Sequence, residues 1–476
     1  MFIKQAIFFI YYTMISNPNP SAELYITGNF NIDEDMVNEN IRIINSYDNY
    51  VKNSDEKDAI DDEKSHNEKD IVQNVEIEID NVKLKEFSYF YIFTEKGPHT
   101  IKYSFKKKLK KLNHLFYGCR QLTALDFSHY DTSDVTQVKS LFGYCESLGE
   151  LNLSNFYTHN VTNMEYMFCG CGNLKKLDLS KFNTKNVTDM KYMFFNCYQL
   201  EEIKGLLNFD TKEVTNMHSM FGYCESLKEL KLSSFNTKKV TDMGSMFSAC
   251  HDLKNLDTKS FETESVTNMD SMFSECSSLK MFDLQNFNTK NVTSMNSMFR
   301  YCNVTPGLTL PKFNTKNVTD FEYMFQYCSL LTTLNIPNFI IGKSAKINLM
   351  FTGCFNLRHV YVNDNNTSET LKNKLREDLE KNTNNTNRKV EFVDLGIDNN
   401  NKKPLKDSND GNTQFISIKT RNLKGKNEVN HNQEGPNYIT GNFNIDEDMV
   451  NENIRIISCF FICSSSFFIC YSCFFI

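Results

Sequence analysis

The 476-residue sequence has no tryptophan, no excess of positive charge and none of the common catalytic motifs. Acidic residues outnumber basic ones by 59 to 52, which gives no reason to expect nucleic acid as a partner. It lacks a nucleophile elbow, a phosphate-binding loop, an HExxH motif and an EF-hand loop, and its nine histidines are not at metal-ligand spacing. We therefore predict that the protein is not an enzyme and has no catalytic residue, no metal site and no cofactor.

What the sequence does contain is an internal repeat, marked most clearly by cysteine. Ten of the 15 cysteines follow one another at intervals of 26 residues, with a single interval of 27. These ladder cysteines are Cys119, Cys145, Cys171, Cys197, Cys224, Cys250, Cys276, Cys302, Cys328 and Cys354. So short a unit cannot bury its own apolar side chains, and such units stack to share a continuous core. We expect reduced thiols in that core rather than disulfides or metal ligands.

Each repeat has two halves, as the unit at residues 174–197 illustrates. In the first half, Leu177 and Leu179 alternate with polar residues, which is strand spacing. In the second half, apolar residues recur at intervals of three and four, which is helix spacing, and Thr188 is the predicted N-cap. The apolar residues of this half are Val187, Met190, Met193, Phe194 and Cys197. The pattern predicts an α/β solenoid of about ten coils over residues 106–362.

The unit FNTKNVTDMKYMFFNC, followed by spaced leucines, resembles the BspA-like leucine-rich repeat family. The units of that family read F-[ND]-T-x-x-V-T-x-M-x-x-M-F-x-x-C-x-x-L-x-x-L-x-L, and the resemblance covers roughly residues 110–362. It implies a leucine-rich-repeat-like stack and a non-catalytic protein that binds other proteins, often at a cell surface and in adhesion. The family has no catalytic residues and no short ligand-binding motif to transfer to this chain.

Composition divides the rest of the chain into segments. Residues 17–74 are acidic and predicted to be disordered, and residues 75–105 are predicted to form a β-rich N-terminal cap. Residues 363–395 are predicted to form a capping helix and strand, and 396–437 a disordered linker rich in Asn and Lys. The 20 residues at 438–457 repeat residues 25–44 without change, which indicates a recent duplication or a join between gene copies.

Two apolar terminal segments bear on localisation. Residues 1–16 have the apolar character of a signal peptide but no clear small-residue cleavage site. The uncharged low-complexity tail at 458–476 is just long enough to span a membrane, yet its seven-residue Phe-Phe-Ile period equally fits translated low-complexity DNA. Membrane association is expected only through these segments, and a surface or membrane-associated location is favoured over the cytoplasm.

Asn-Val-Thr triplets recur along the repeats and match the pattern for N-glycosylation. Their asparagines are Asn160, Asn186, Asn291, Asn303 and Asn317. In four of them the Val-Thr pair is already part of the repeat, and a glycan also requires secretion. Glycosylation therefore stays open at the level of sequence.

The strand face is the predicted binding surface, because solenoids usually bind there. Its outward positions alternate in charge over several coils, and such a surface orients a partner without giving high affinity. The residues concerned are Lys176, Asp178, Lys204, Glu229, Lys231, Asp257 and Asp283. We expect weak, salt-sensitive binding of a protein partner, with the edge around Tyr166, Tyr192 and Tyr323 as the next candidate. The alternatives are an intracellular scaffold of the same fold and a degenerate fused copy from a repeat gene array.

Overall fold

The computed structural model describes residues 23–53, 65–304, 307–362, 369–380, 390–394, 461–464 and 467–470. The chain divides into two compact units, residues 1–401 and residues 402–476. The first unit is a solenoid preceded by a β-rich cap. A run of single parallel bridges joins ten equivalent positions, one per coil, from Lys111 to Lys346. Nine bridges connect these positions, which corresponds to about nine complete turns.

The strands of the cap and the coils are short. The cap contains β1 (Leu24–Ile32), β2 (Asn40–Arg42), β3 (Val75–Ile79), β4 (Val82–Lys83), β5 (Phe90–Ile92) and β6 (Gly97–Phe105). The coils contribute β7 (Leu122–Asp126), β8 (Glu150–Asn152), β9 (Lys176–Asp178), β10 (Glu202–Lys204), β11 (Glu229–Lys231), β12 (Asn255–Asp257), β13 (Gly307–Thr309), β14 (Thr333–Asn335) and β15 (His359–Val362). The strand predicted in the first half of each repeat is confirmed in the nine coils that contain β7 to β15.

The second half of each repeat is not helical, so the predicted α/β class is corrected to a β-solenoid with little helix. Successive backbone N–H groups donate alternately to a carbonyl of the next coil and to a carbonyl three residues back in the same coil. In an α-helix, each N–H donates to the carbonyl four residues back. Met190 N donates across the coils to Asn216 O at 3.1 Å, while Met193 N donates to Met190 O at 3.2 Å and closes a turn. Tyr192 has a left-handed φ of 56°, which a right-handed helix excludes.

Thr188 is not a helix cap either. Its N–H and its hydroxyl both donate to Thr162 O of the preceding coil, at 2.9 and 3.2 Å. In eight of the coils, a second, buried threonine donates a hydrogen bond to the following coil. Thr158 Oγ1 donates to Asn183 O at 3.0 Å and accepts the N–H of the same residue at 2.8 Å. The recurrent threonines therefore join coils rather than start helices.

The predicted core is confirmed, because the ladder cysteines are all buried thiols without disulfides. Nine of them donate through Sγ to the carbonyl of a phenylalanine in the preceding coil, as Cys197 does to Phe168 O at 3.1 Å. Phenylalanines stack alongside in the same core. The Phe194 ring centroid lies 5.6 Å from that of Phe168 and 5.4 Å from that of Phe221.

The N-terminal cap begins earlier than the sequence predicts. Disorder is the prediction for residues 17–74, but their described part contains β1, β2 and two helices, α1 (Tyr47–Asn53) and α2 (Glu68–Asn74). β1 lies between β6 and β7 and is antiparallel to both, within a sheet of order β4-β3-β6-β1-β7-β8. Buried Ile26, Phe30 and Ile32 attach it to the core. The average composition of the acidic region conceals this short apolar alternation.

The other end of the solenoid carries α3 (Glu369–Glu380) and β16 (Glu391–Asp394), in keeping with the predicted capping helix and strand, and β16 pairs in parallel with β15. In the second unit, β17 (Phe461–Ser464) and β18 (Phe467–Cys470) form an antiparallel hairpin. Among the described residues, no helix is long and apolar enough to cross a membrane. The predicted segments 1–16, 396–437 and 438–457 lie outside the described residues.

Candidate functional site: a groove in the strand face

The strand face has the column register that the repeat predicts. In the β9–β10 pair, Lys176 lies opposite Glu202 and Asp178 opposite Lys204. In the β11–β12 pair, Lys231 lies opposite Asp257. Parallel pairing at this spacing keeps equivalent side chains of neighbouring coils about 4.8 Å apart. The predicted outward residues therefore share one surface, and their charges face solvent.

Strand pairing lapses at three places along this surface, and two of these breaks border the candidate site. The first of these two breaks follows Lys204, where the repeat is one residue longer. Gly205 adopts a left-handed φ of 90°, and a Cβ there would lie 2.6 Å from the Leu179 carbonyl carbon. A short 3-10 helix, Leu206–Asn208, then returns the chain to the coil. Leu206 is buried, but Leu207 is 54% exposed. The extra residue thus places an apolar side chain on the strand face, and β10 and β11 belong to separate sheets.

The second break lies between β12 and β13, which also belong to separate sheets. Residues 280–283 occupy the intervening coil but form no strand. The inward position of this coil is Phe282, where most other coils have leucine. Its ring is only half-buried, with edge-to-face contacts to Phe273 and Phe299 at centroid distances of 5.1 and 5.4 Å. A ring larger than leucine does not fit the leucine-sized space, so this coil departs from the ladder.

The two breaks flank a concave groove with a volume of about 1240 Å³. Exposed apolar groups line it from both sides, since Met281 is 81% exposed and Leu207 is 54% exposed. Its charged lining residues are Glu229, Lys231, Lys254, Asp257, Lys259, Lys280 and Asp283. Lysines and acids alternate, and Lys231 Nζ lies 3.2 Å from the Glu229 carboxylate. The groove therefore combines apolar anchoring points with charges of both signs.

The seven predicted binding residues do not all share this groove. Glu229, Lys231, Asp257 and Asp283 line it. The other three, Lys176, Asp178 and Lys204, lie on the β9–β10 pair beyond the first break.

In that second group, hydrogen bonds from Ser180 and the charge of Lys204 lower the pKa of the Asp178 carboxyl. Lys176 Nζ is 4.0 Å from the Glu202 carboxylate. These exposed pairs are weak in water and leave both charges available to a partner.

Sequence reasoning does not find the two apolar anchors. Met281 lies in an outward column of mostly polar residues, and Leu207 lies in the one long interval. Two signals point to them: the 27-residue spacing, and a phenylalanine at an inward position that otherwise holds aliphatic residues.

The tyrosine edge is less developed as a site. Tyr166 and Tyr192 stack with a centroid distance of 4.6 Å, and Tyr323 stands in a later coil. All three rings are half-buried.

Four of the five sequon asparagines have a structural role, because their side chains link neighbouring coils. Asn186 Nδ2 donates to His159 O of the preceding coil at 2.8 Å. The side-chain amides of Asn160, Asn291 and Asn317 likewise donate to a backbone carbonyl of their own preceding coil, at 2.7 to 2.9 Å. A glycan on that nitrogen would replace one of its two donor hydrogens. Within the part of the chain that the structure describes, no group of three His, Cys, Asp or Glu residues could hold a metal ion.

Comparison with known proteins identifies one family. A family model described as "Mycoplasma protein of unknown function, DUF285" matches residues 110–228, 199–307 and 280–389. Together the matches span residues 110–389, which is more than half of the chain and includes every coil strand from β7 to β15. No curated protein and no solved structure matches the chain.

Proposed function

The chain belongs to the DUF285 family, whose description assigns no function, and from its surface we propose that it is a non-catalytic module that binds a protein partner. The proposal includes the finer assignment to leucine-rich-repeat proteins of the BspA-like type, with the ten bridged positions as ten coils. The observation that carries it is the groove between the two breaks in the strand face. Adhesion and a surface location rest on the family resemblance alone.

The groove supports a protein partner for energetic reasons. Protein interfaces draw most of their affinity from a few large side chains near the centre, surrounded by polar contacts that exclude water. Met281 and Leu207 offer such apolar contact, and the surrounding lysines and acids can pair with charges on a partner. We therefore infer that the partner inserts an apolar side chain between these two residues and carries charges of both signs.

A photo-crosslinking experiment tests the site directly. The crosslinker replaces Met281 in one variant and Lys185, an exposed turn residue outside the groove lining, in the matched control. We expect a discrete protein adduct from position 281 and not from position 185. Adducts of equal yield at both positions would remove the groove as the site.

Affinity for the captured partner then tests the anchors. The double variant Leu207→Ser and Met281→Ser should weaken binding about tenfold or more, because truncating central apolar contacts typically costs more than about 1 kcal/mol. Both side chains are exposed, so the circular dichroism spectrum and the urea midpoint should stay unchanged. Charge reversal at Lys204 and Lys231 should weaken binding at low salt only. Unchanged affinity in all of these variants would contradict the proposal.

The intracellular scaffold remains the alternative function. Surface labelling of intact cells separates the two, because only a surface protein reacts with an impermeant reagent. Labelling confined to lysed cells would remove the surface assignment while leaving the groove proposal untouched.

A further inference from the structure

One column of like charge runs along the strand face, at the position directly after a buried leucine. Three consecutive coils have an exposed lysine there, and we call Lys228, Lys254 and Lys280 the lysine column. The three coils are adjacent, because Lys254 N donates to Lys228 O at 3.0 Å and Ser278 N donates to His251 O at 3.1 Å. At a coil spacing of about 4.8 Å, the neighbouring ammonium groups repel one another.

Several other columns of the solenoid balance their charges between neighbouring coils. Arg120 Nε lies 3.0 Å from the Glu146 carboxylate, and Lys239 Nζ lies 2.7 Å from the Glu213 carboxylate. Within the described part of the chain, by contrast, no member of the lysine column forms an ion pair. The positive charge of this column therefore remains available to a ligand.

The lysine column forms one rim of the groove. Lys254 and Lys280 line the groove from this side, and Asp257 and Asp283 line it three residues later in the same two coils. Three residues of extended chain separate the two rims by roughly 10 Å at the backbone. In the second of these coils Met281 lies between the rims and is 81% exposed. The groove is therefore basic at one rim, apolar between the rims, and carries its aspartates at the other rim.

We propose that the groove binds an acidic polypeptide segment of the partner, which lies along the solenoid axis with its carboxylates on the lysine column. This inference rests on the proposed function and adds the chemistry of the partner. Carboxylates on the column would offset the mutual repulsion of its three ammonium groups. An apolar side chain of the segment would then contact Met281, and basic groups beyond it would face Asp257 and Asp283. Exposed charge pairs are weak and are screened by salt, so the column orients the segment more than it tightens binding.

Fluorescence anisotropy with a synthetic probe and the full-length chain tests this inference. The probe is a fluorescein-labelled peptide in which aspartate and serine alternate around one central leucine. We expect it to bind at low salt and to dissociate as the salt concentration rises. The same peptide with asparagine in place of aspartate should not bind. The triple variant Lys228→Glu, Lys254→Glu and Lys280→Glu should lower the affinity for the acidic peptide about tenfold or more, because three charge pairs become repulsive.

A second triple variant is the matched control. It carries Lys185→Glu, Lys238→Glu and Lys316→Glu, which reverse three exposed lysines of one turn column and change the net charge by the same amount. This control should bind the acidic peptide as well as the original chain does. All six lysines are exposed, so both variants should keep the circular dichroism spectrum of the original chain. The reverse change on the other rim, Asp257→Lys with Asp283→Lys, should strengthen binding of the same peptide.

Equal loss of affinity in the two triple variants would overturn the inference, because the peptide would then respond to net charge and not to the lysine column. Tighter binding of a single-stranded DNA oligonucleotide of equal charge would also overturn it, since the column would then be a phosphate-binding surface.

The partner captured by crosslinking separates this inference from the proposed function. A partner that crosslinks at position 281 but binds the first triple variant with full affinity would refute the acidic segment and leave the protein-binding proposal standing. Binding of the acidic peptide at the lysine column without any crosslinked partner would support the preference of the column for carboxylates and refute the groove as a protein-binding site.

Discussion

The two sides of the solenoid differ in regularity although they belong to the same coils. The second half of each repeat forms one side of the solenoid, the turn side, where parallel bridges join ten successive positions without a break. On the strand side, pairing lapses at three places, between β8 and β9, after Lys204 and around Phe282. The turn side carries the cysteine thiols, the stacked phenylalanines and the buried threonines that bond from coil to coil. Continuity of the stack thus depends on the turn side, and the strand side can vary without loss of the fold.

This division explains why a groove can form at all. Each coil keeps its place through buried contacts that do not involve strand pairing. One inserted residue at 205 and one oversized side chain at 282 therefore change the local surface only. Variation of this kind is how repeat proteins diversify their binding surfaces while keeping the core. Changes on the turn side should therefore cost the most stability, and changes on the strand side the least.

The largest effect should come from alkaline pH, because the ladder cysteines respond together. Burial raises the pKa of Cys119, Cys250 and Cys328 from 9.0 to about 12. Between these two values the folded thiols keep their protons while unfolded thiols lose theirs. Stability is therefore fully present below about pH 9 and falls as pH rises toward about 12, by about 1.4 kcal/mol per pH unit for each such thiol.

Urea unfolding under reducing conditions, at about pH 8 and about pH 10, measures this loss. The variant Cys250→Ala should unfold more easily at the lower pH, because it leaves a small cavity, but its stability should depend less steeply on pH. Parallel pH curves for this variant and the original chain would show that the Cys250 thiol does not contribute to the alkaline loss.

The next largest effect should come from the phenylalanine stack. Phe194→Ala removes a fully buried ring that contacts the rings of two neighbouring coils, and it should reduce the free energy of unfolding by about 3–5 kcal/mol. Urea unfolding measures it. Phe355→Ala, at a side chain that is 44% exposed, is the control and should cost less than about 1 kcal/mol. Equal costs at the two positions would contradict the assignment of the core.

The core is predictable because a 26-residue period fixes which positions are buried, whatever the backbone does between them. The local conformation is not, since apolar residues three and four apart suit both a helix and a run of turns. Left-handed residues such as Tyr192 and Asn196, four apart, produce the same inward spacing as a helix. Propensity gives little warning, because most residues at these positions are tyrosine or serine, which have no strong preference for positive φ.

The cap and the groove escape sequence reasoning for different reasons. β1 reads as part of an acidic region, and only its pairing with both β6 and β7 gives it a place in the core. The repeat does align the strand columns correctly, as the opposition of Lys231 and Asp257 confirms. The groove depends on the lapse of pairing at two coils. We attribute that lapse to side-chain volume at one position and to one extra residue at another, and each is a single departure within an otherwise regular repeat.

The smallest effect on stability should come from exchanging leucine and phenylalanine at the inward strand position. The exchange can be made in both directions. Leu230→Phe introduces an oversized ring where β11 pairs with β12, and overpacking there should cost about 1–3 kcal/mol and open the pairing. Phe282→Leu is the reverse change. It should let residues 281–283 join the ladder between β12 and β13, and the added hydrogen bonds should contribute about 1 kcal/mol.

Hydrogen exchange measures Phe282→Leu best, because a gain of this size is small against the stability of the whole stack. The amides of residues 281–283 should exchange about fivefold to tenfold more slowly, while those of β9 and β10 should not change. A continuous ladder would also move Met281 into the column of the neighbouring strands and narrow the groove. The affinity for a partner identified by crosslinking should therefore fall, although the protein becomes more stable. Gain of stability with loss of binding is the combination expected if the break serves function. Unchanged exchange at residues 281–283 would show that the size of Phe282 is not what interrupts the ladder.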